Sequence, residues 1–201
     1  MSASIHIPKS GKTEPVGYLT SRLLIATPLI NSPAFARTVI LMCAHDKNGA
    51  MGIIINNIIE NISYTDLFEQ LEIAPQDSVN QLPVHYGGPV EINRGFVIYH
   101  LGEAPPHPDT LITVNNIAIS SSIHVLRDIA AGKGPKERIL ALGYAGWAAG
   151  QLETEMEANS WISVPATREL IFDTDNNLKW SKAANQHGID ISKLTSNVGH
   201  A

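Results

Sequence analysis

Apolar positions gather in three unbroken runs near the start of the chain: LLIAT at 23–27, TVILMCA at 38–44 and MGIIIN at 51–56. A strand with one wet face alternates apolar and polar residues, so runs without alternation predict strands covered on both faces. HDKNGA at 45–50 joins the last two runs, and its Asn48-Gly49 pair tolerates the positive φ of a tight turn. The segment 38–56 therefore reads as an antiparallel hairpin. The period then lengthens. SYTDLFEQLEI at 63–73 sets Leu67, Phe68 and Leu71 at helical spacing behind Ser63, with Asp66 placed as a capping-box partner.

Further along, LPVHYGGPVEINRGFVIYH at 82–100 holds a Gly87-Gly88-Pro89 turn and a strand over Arg94–His100. The three prolines of GEAPPHPDT make 102–110 an irregular loop, and DTLITVNNIAIS at 109–120 is strand material. SSIHVLRDIAAGKG at 121–134 reads as a helix with a serine N-cap, Ile123, Leu126 and Ile129 or Ala130 turned inward, and Gly132 past its end. A strand at RILALGYAG (138–146), a helix, a strand at WISVPA (161–166) and helical patterning around LKWSKAANQHG (178–188) complete the order. Strands interleaved with helices predict a mixed α/β (α+β) fold, one domain with helices packed on its sheet.

With 201 residues, 44% apolar and 16% charged, the chain can bury a full core. Lys and Arg number 14 against 19 Asp and Glu, a net charge of -5, so attraction to nucleic acid or an anionic membrane would need a local basic patch. The single Cys43 excludes an internal disulfide, and no apolar stretch approaches the roughly 18 residues of a membrane span. These features point to the cytoplasm. Residues 1–16 and 191–201 read as tails flanking a domain over 17–190.

Candidate chemistry is sparse. In LGYAGWAAGQLETEME (142–157) the glycines are spaced G-x-x-G-x-x-x-G, whereas a dinucleotide turn needs G-x-G-x-x-G. The amides from Gly146 to Gly150, preceding a helix, could still seat an anion, although glycines that let strand and helix pack closely are the plainer reading. In that helix Leu152 and Met156 share the inner face, Glu153 and Glu157 a solvated flank, and Glu155 borders the buried stripe beside Gln151.

SGKT at Ser10–Thr13 resembles the end of a phosphate-binding loop, but His6 stands where the first glycine belongs and Pro15 follows. Lys133, Lys136 and Arg138 in GKGPKER read as a solvated connection, Cys43 as a small core hydrophobe, and His45, His85 and His100 lie on separate segments. No metal or cofactor is implied. The suggestive set is diffuse: Arg94 with the Gly87-Gly88 amides as an anion pocket, and a polar cluster of His45, Asp46, Asn56 and Glu155. Against the first stands a simple Arg94–Glu91 pair.

FARTVILMCAHDKNGAMGIIIN, VHYGGPVEINRGFVIYH and LGYAGWAAGQLETEMEANSWISVPA together resemble the YqgE/AlgH family of bacterial proteins, from about Gly17 to Gly188. The resemblance implies a single domain with a mixed, barrel-like sheet and a regulatory role, but no agreed catalytic set and no DNA-reading helix. Where that family runs INRP, this chain has Asn57 and Ile58, which leaves Arg94 as the arginine of these blocks placed to serve an anion. The expectation is a regulatory protein acting through a protein partner. A small-molecule or anion-binding enzyme built on Arg94 and the glycine amides is the first alternative, and direct DNA contact the second.

Overall fold

The computed structural model describes residues 18–74, 82–102 and 105–189; the SGKT motif and the two expected tails lie outside them. Ten strands run in chain order: β1 (Arg22–Ala26), β2 (Val39–Asp46), β3 (Gly49–Ile54), β4 (Ile58–Ser63), β5 (Pro83–Tyr86), β6 (Val90–His100), β7 (Thr110–Val114), β8 (Ile117–Ser120), β9 (Arg138–Ala148) and β10 (Trp161–Pro165). Four α-helices join them, α1 (Tyr64–Gln70), α2 (Ile123–Ala130), α3 (Gln151–Glu157) and α4 (Asn176–Asn185), with a π-helical turn at Glu169–Asp173.

The sheet order is β10-β1-β2-β3-β9-β6-β8-β7, with β5 beside β9 and β4 beside β5. Every pairing is antiparallel except β5 with β9. β9 holds this together. Its long run has β6 along one side, while β5 pairs with residues 140–142 and β3 with residues 145–148. Strands of a twisted sheet that divides in this way curl around the core, giving a half-barrel.

Burial on both faces of the opening hairpin has a direct cause. Leu41, Cys43 and Ile53 face a cluster with Phe96, Ile98, Ile171 and Ala183, while Ile40, Met42 and Ile54 face Trp147, Leu152 and Trp161 beneath α3. A third cluster, with Tyr64, Phe68, Val84, Leu140 and Ile129, fills the space under α1 and α2. Among the described residues no helix is long and apolar enough to cross a membrane.

Several local expectations shift. The hairpin loop is Lys47-Asn48, with Gly49 already paired to Asp46, one residue earlier than the Asn48-Gly49 turn. The Ser63–Asp66 capping box forms, but α1 buries Tyr64 and Phe68 and leaves Leu71 39% exposed. Seven residues make two turns, and their inner stripe begins at the first residue instead of the fourth. On α2, Ser122 caps as expected; Val125, Ile129 and Ala130 turn inward, and Ile123 sits on the wet side. The strand material at 109–120 folds back on itself at Asn115 and Asn116, whose φ of 49° and 65° match a tight hairpin turn.

Candidate functional site

The residues singled out from sequence are spread over the molecule. Gly87 donates its N–H to the Leu142 carbonyl at 2.7 Å and accepts from the Ile54 N–H at 2.9 Å, so its amide is spent on the sheet. Gly88, at φ 149°, lies so close to β9 that a Cβ would come within 2.2 Å of the Tyr144 carbonyl carbon. Arg94 pairs with Glu91 at 3.0 Å and rests over the Phe96 ring at 5.1 Å. Gly146 is a ladder residue opposite Met51, and Gly150 is the left-handed cap of α3.

The polar cluster also separates. Asn56 clamps the start of β2, accepting from the Val39 N–H and donating to the Arg37 carbonyl, while Asp46 sits at the other end of the hairpin and accepts from the Asn48 N–H. His45 is buried; its Nδ1 accepts from the Leu19 N–H, which leaves Nε2 to donate to Glu153 at 3.0 Å. Glu153 is thus a partner of a buried histidine and not merely a solvated flank. Glu155 accepts from the Trp147 and Trp161 indoles at 2.9 and 2.7 Å and from Gln151 at 2.9 Å.

A different site forms where β5, the start of β9, the π turn and α4 meet. A cavity of about 370 Å³ is lined there by His85, Arg138, Lys179, Tyr64, Asn176 and Asn177, with Ile58, Leu82, Ile171 and Phe172 among its apolar walls. Pairing of β5 with β9 sets His85 opposite Ala141, three residues beyond Arg138, and Asp175 caps α4 so that the helix N-terminus opens on the same space.

Three polar groups here have spare capacity. His85 is 4% exposed, yet neither ring nitrogen has a hydrogen-bond partner among the described residues. Burial, and then the Lys179 charge, push its pKa down to about 4; the Asn176 side chain and the Leu140 and Pro83 backbone lie near enough to pull it the other way without completing a well-formed hydrogen bond. The ring is therefore neutral at pH 7. Lys179, 2% exposed, donates to the Ile55 carbonyl at 3.1 Å and the Ile171 carbonyl at 2.8 Å. An ammonium has three donors, so one remains. Burial brings this lysine down to about 8, against the opposing pull of Asp175. Arg138 holds the Pro135 carbonyl with one terminal nitrogen, while its buried Nε has no partner. Burial pushes the Tyr64 phenol up to about 12 in spite of nearby Arg138, so Tyr64 stays a neutral donor.

The Ile171 carbonyl belongs to the π turn, whose i→i+5 pattern displaces backbone groups from regular helical bonding; such turns recur at functional sites. Unsatisfied buried polar atoms are rare because each costs roughly 1–3 kcal/mol. Four such side-chain atoms occur among the described residues, and three of them, both His85 nitrogens and Arg138 Nε, belong to residues lining this one cavity. Two cations, a helix N-terminus and orphaned donors make a place for an anion.

Comparison with known proteins agrees along nearly the whole chain. The model of the AlgH-like family matches residues 23–192. The chain belongs to the AlgH-like family. A UPF0301 protein of Jannaschia sp. is 46% identical over 183 residues, covering 91% of this chain and 95% of the relative, and one of Rhodospirillum rubrum is 45% identical over 185 residues, covering 92% and 95%. The solution structure of the AlgH protein from Pseudomonas aeruginosa is similar at 37% identity with a TM-score of 0.75, covering 95% of this chain and all of that one. A crystal structure of a Corynebacterium diphtheriae protein, 17% identical with a TM-score of 0.71, shares the fold.

For this AlgH-like chain, the position at which Asn57-Ile58 departs from the INRP pattern falls at the cavity, because Ile58 is one of its walls. None of the three polar groups stands out in the sequence: Arg138 lies among loop lysines, His85 on a segment apart from the other histidines, and Lys179 within a helical pattern. One signal was available: Lys179 and Ala183 are four apart on one helix face, which puts a lysine on a stripe that packs inward.

Proposed function

We propose that this AlgH-like protein is a cytoplasmic binding protein of regulatory type that holds a small anion in the His85–Arg138–Lys179 cavity and acts through a protein partner. The observation that carries this reading is the convergence of orphaned, buried polar atoms and two cations on a concavity of about 370 Å³. The regulatory part rests on the role the family resemblance implies. The buried thiol of Cys43, raised far above its ordinary range by desolvation, fits a structural residue in a reducing compartment.

Holding suits the geometry better than turnover. A general base works best with a pKa near the operating pH, and a histidine at about 4 is a weak proton acceptor at pH 7. Direct DNA contact has less support still: the chain is acidic, and Arg138, one of the three cations of 132–138, lines the cavity.

Thermal unfolding with inorganic phosphate at constant ionic strength tests the reading. At a hundredfold excess over Kd the midpoint should rise by roughly 5–10 °C, and Arg138→Met should abolish the rise. A midpoint that stays flat in phosphate, or that rises equally in Arg138→Met, contradicts it.

A further inference from the structure

The charges around the cavity leave one group unused. Arg138 and Lys179 supply two positive charges and Asp175 one negative, so with His85 neutral the site carries a single excess positive charge. A singly charged anion balances that excess. A doubly charged anion overshoots it by one, and His85, whose ring nitrogens are without partners, can supply the missing positive charge by binding a proton.

Hydrogen bonding points the same way. A neutral imidazole has one N–H donor and one lone pair, and a fully ionised oxyanion, which only accepts, can satisfy just the donor. An imidazolium donates from both nitrogens, and both His85 nitrogens are without partners. On the reading that this cavity is the ligand site, we propose that it takes a doubly charged oxyanion of the phosphoryl type and that His85 binds a proton from solvent as the anion enters.

The other groups facing His85 do not compete for this role. Tyr64 from α1 is held neutral by burial, Arg138 from β9 keeps its charge, and α4 presents Lys179 and Asp175. The π turn adds Ile171 and Phe172 and β4 adds Ile58, none of them ionisable. Without ligand, His85 titrates near pH 4. An opposite charge in contact raises a histidine by about one to three pH units, which brings the bound form to about 5–7. Near pH 5.5 the ring is therefore neutral in the free protein and from about a quarter to almost wholly charged in the complex.

Nitrogen-15 NMR of the histidine rings at pH 5.5, with sulfate as a probe that keeps two charges, tests this directly. Sulfate should shift the amides of 84–86 and 138–140 and move the His85 ring toward the imidazolium pattern; acetate, singly charged, should shift the amides and leave the ring neutral. Between about pH 4, where the free ring titrates, and the bound-state pKa, sulfate affinity should fall about tenfold per pH unit and then level off, and His85→Asn should remove that slope. Methyl phosphate and inorganic phosphate separate an esterified ligand from a free ion, and tighter binding of either supports the proposal. Sulfate binding with a ring that stays neutral overturns the proton step while leaving the anion site intact. Absence of any cavity response to sulfate, phosphate and acetate removes the site as well.

Discussion

His85 and Lys179 illustrate how single buried residues set the pH response. The folded state holds His85 at about 4 against an ordinary value near 6.5. Between those values the unfolded chain binds more protons, so stability rises with pH across that window and is lost on acidification. The full effect is about 3 kcal/mol below pH 4; urea midpoints from pH 4 to 7 should show it, and His85→Asn should flatten the profile. Lys179, held at about 8 against 10.5, adds a second rise in stability over that alkaline window. Glycines give a contrast at the same scale. Gly88→Ala must push a Cβ into the Tyr144 backbone at positive φ, whereas Gly150 has open space around its Cβ position. Denaturant titrations should give losses of about 3 kcal/mol or more for Gly88→Ala and about 1 kcal/mol for Gly150→Ala.

At the scale of elements, α3 is pinned by its carboxylates. Glu155 joins the indoles of Trp147 on β9 and Trp161 on β10, both almost fully buried, so Glu155→Ala strands two N–H donors. A loss of about 2–4 kcal/mol is expected, most of it recovered in Glu155→Gln, which keeps an acceptor. Thermal denaturation of both variants checks this. The same helix marks the limit of what sequence could tell. Its span, Leu152 as its inner residue and Glu155 at the stripe's border were legible from i, i+4 spacing, but the indoles that Glu155 meets come from strands folded beneath it. Likewise Ser63 and Ser122 were readable as caps because a cap is a local device, while the buried faces of α1 and α2 were set by which strands they lie on.

Across the whole molecule, local chemistry fixed the elements and pairing fixed the site. A run such as TVILMCA declares a two-sided strand; nothing in it declares that β9 will take β5 parallel on the flank where β3 is already antiparallel. That arrangement carries His85 to Arg138, separated by 53 positions in sequence, and Lys179 reaches both by way of the C-terminal elements. Arg94 and the Gly87-Gly88 amides are neighbours in sequence, but the sheet takes the Gly87 amide, Gly88 is pressed against the Tyr144 backbone, and Glu91 engages the arginine. Lys179→Met removes a buried charge but leaves the Ile55 and Ile171 carbonyls without this donor, so it should lose about 2–4 kcal/mol of stability as well as the response to anions.

The most direct measurement is a map of backbone amide shifts during titration with inorganic phosphate at pH 7 and constant ionic strength. An anion held as described moves the amides of 84–86, 138–140 and 171–179 together along one saturable curve and leaves those of 87–94 and 146–150 in place. Saturable shifts centred on Arg94 or on the α3 N-terminus, or no saturable shifts at the cavity, would contradict it.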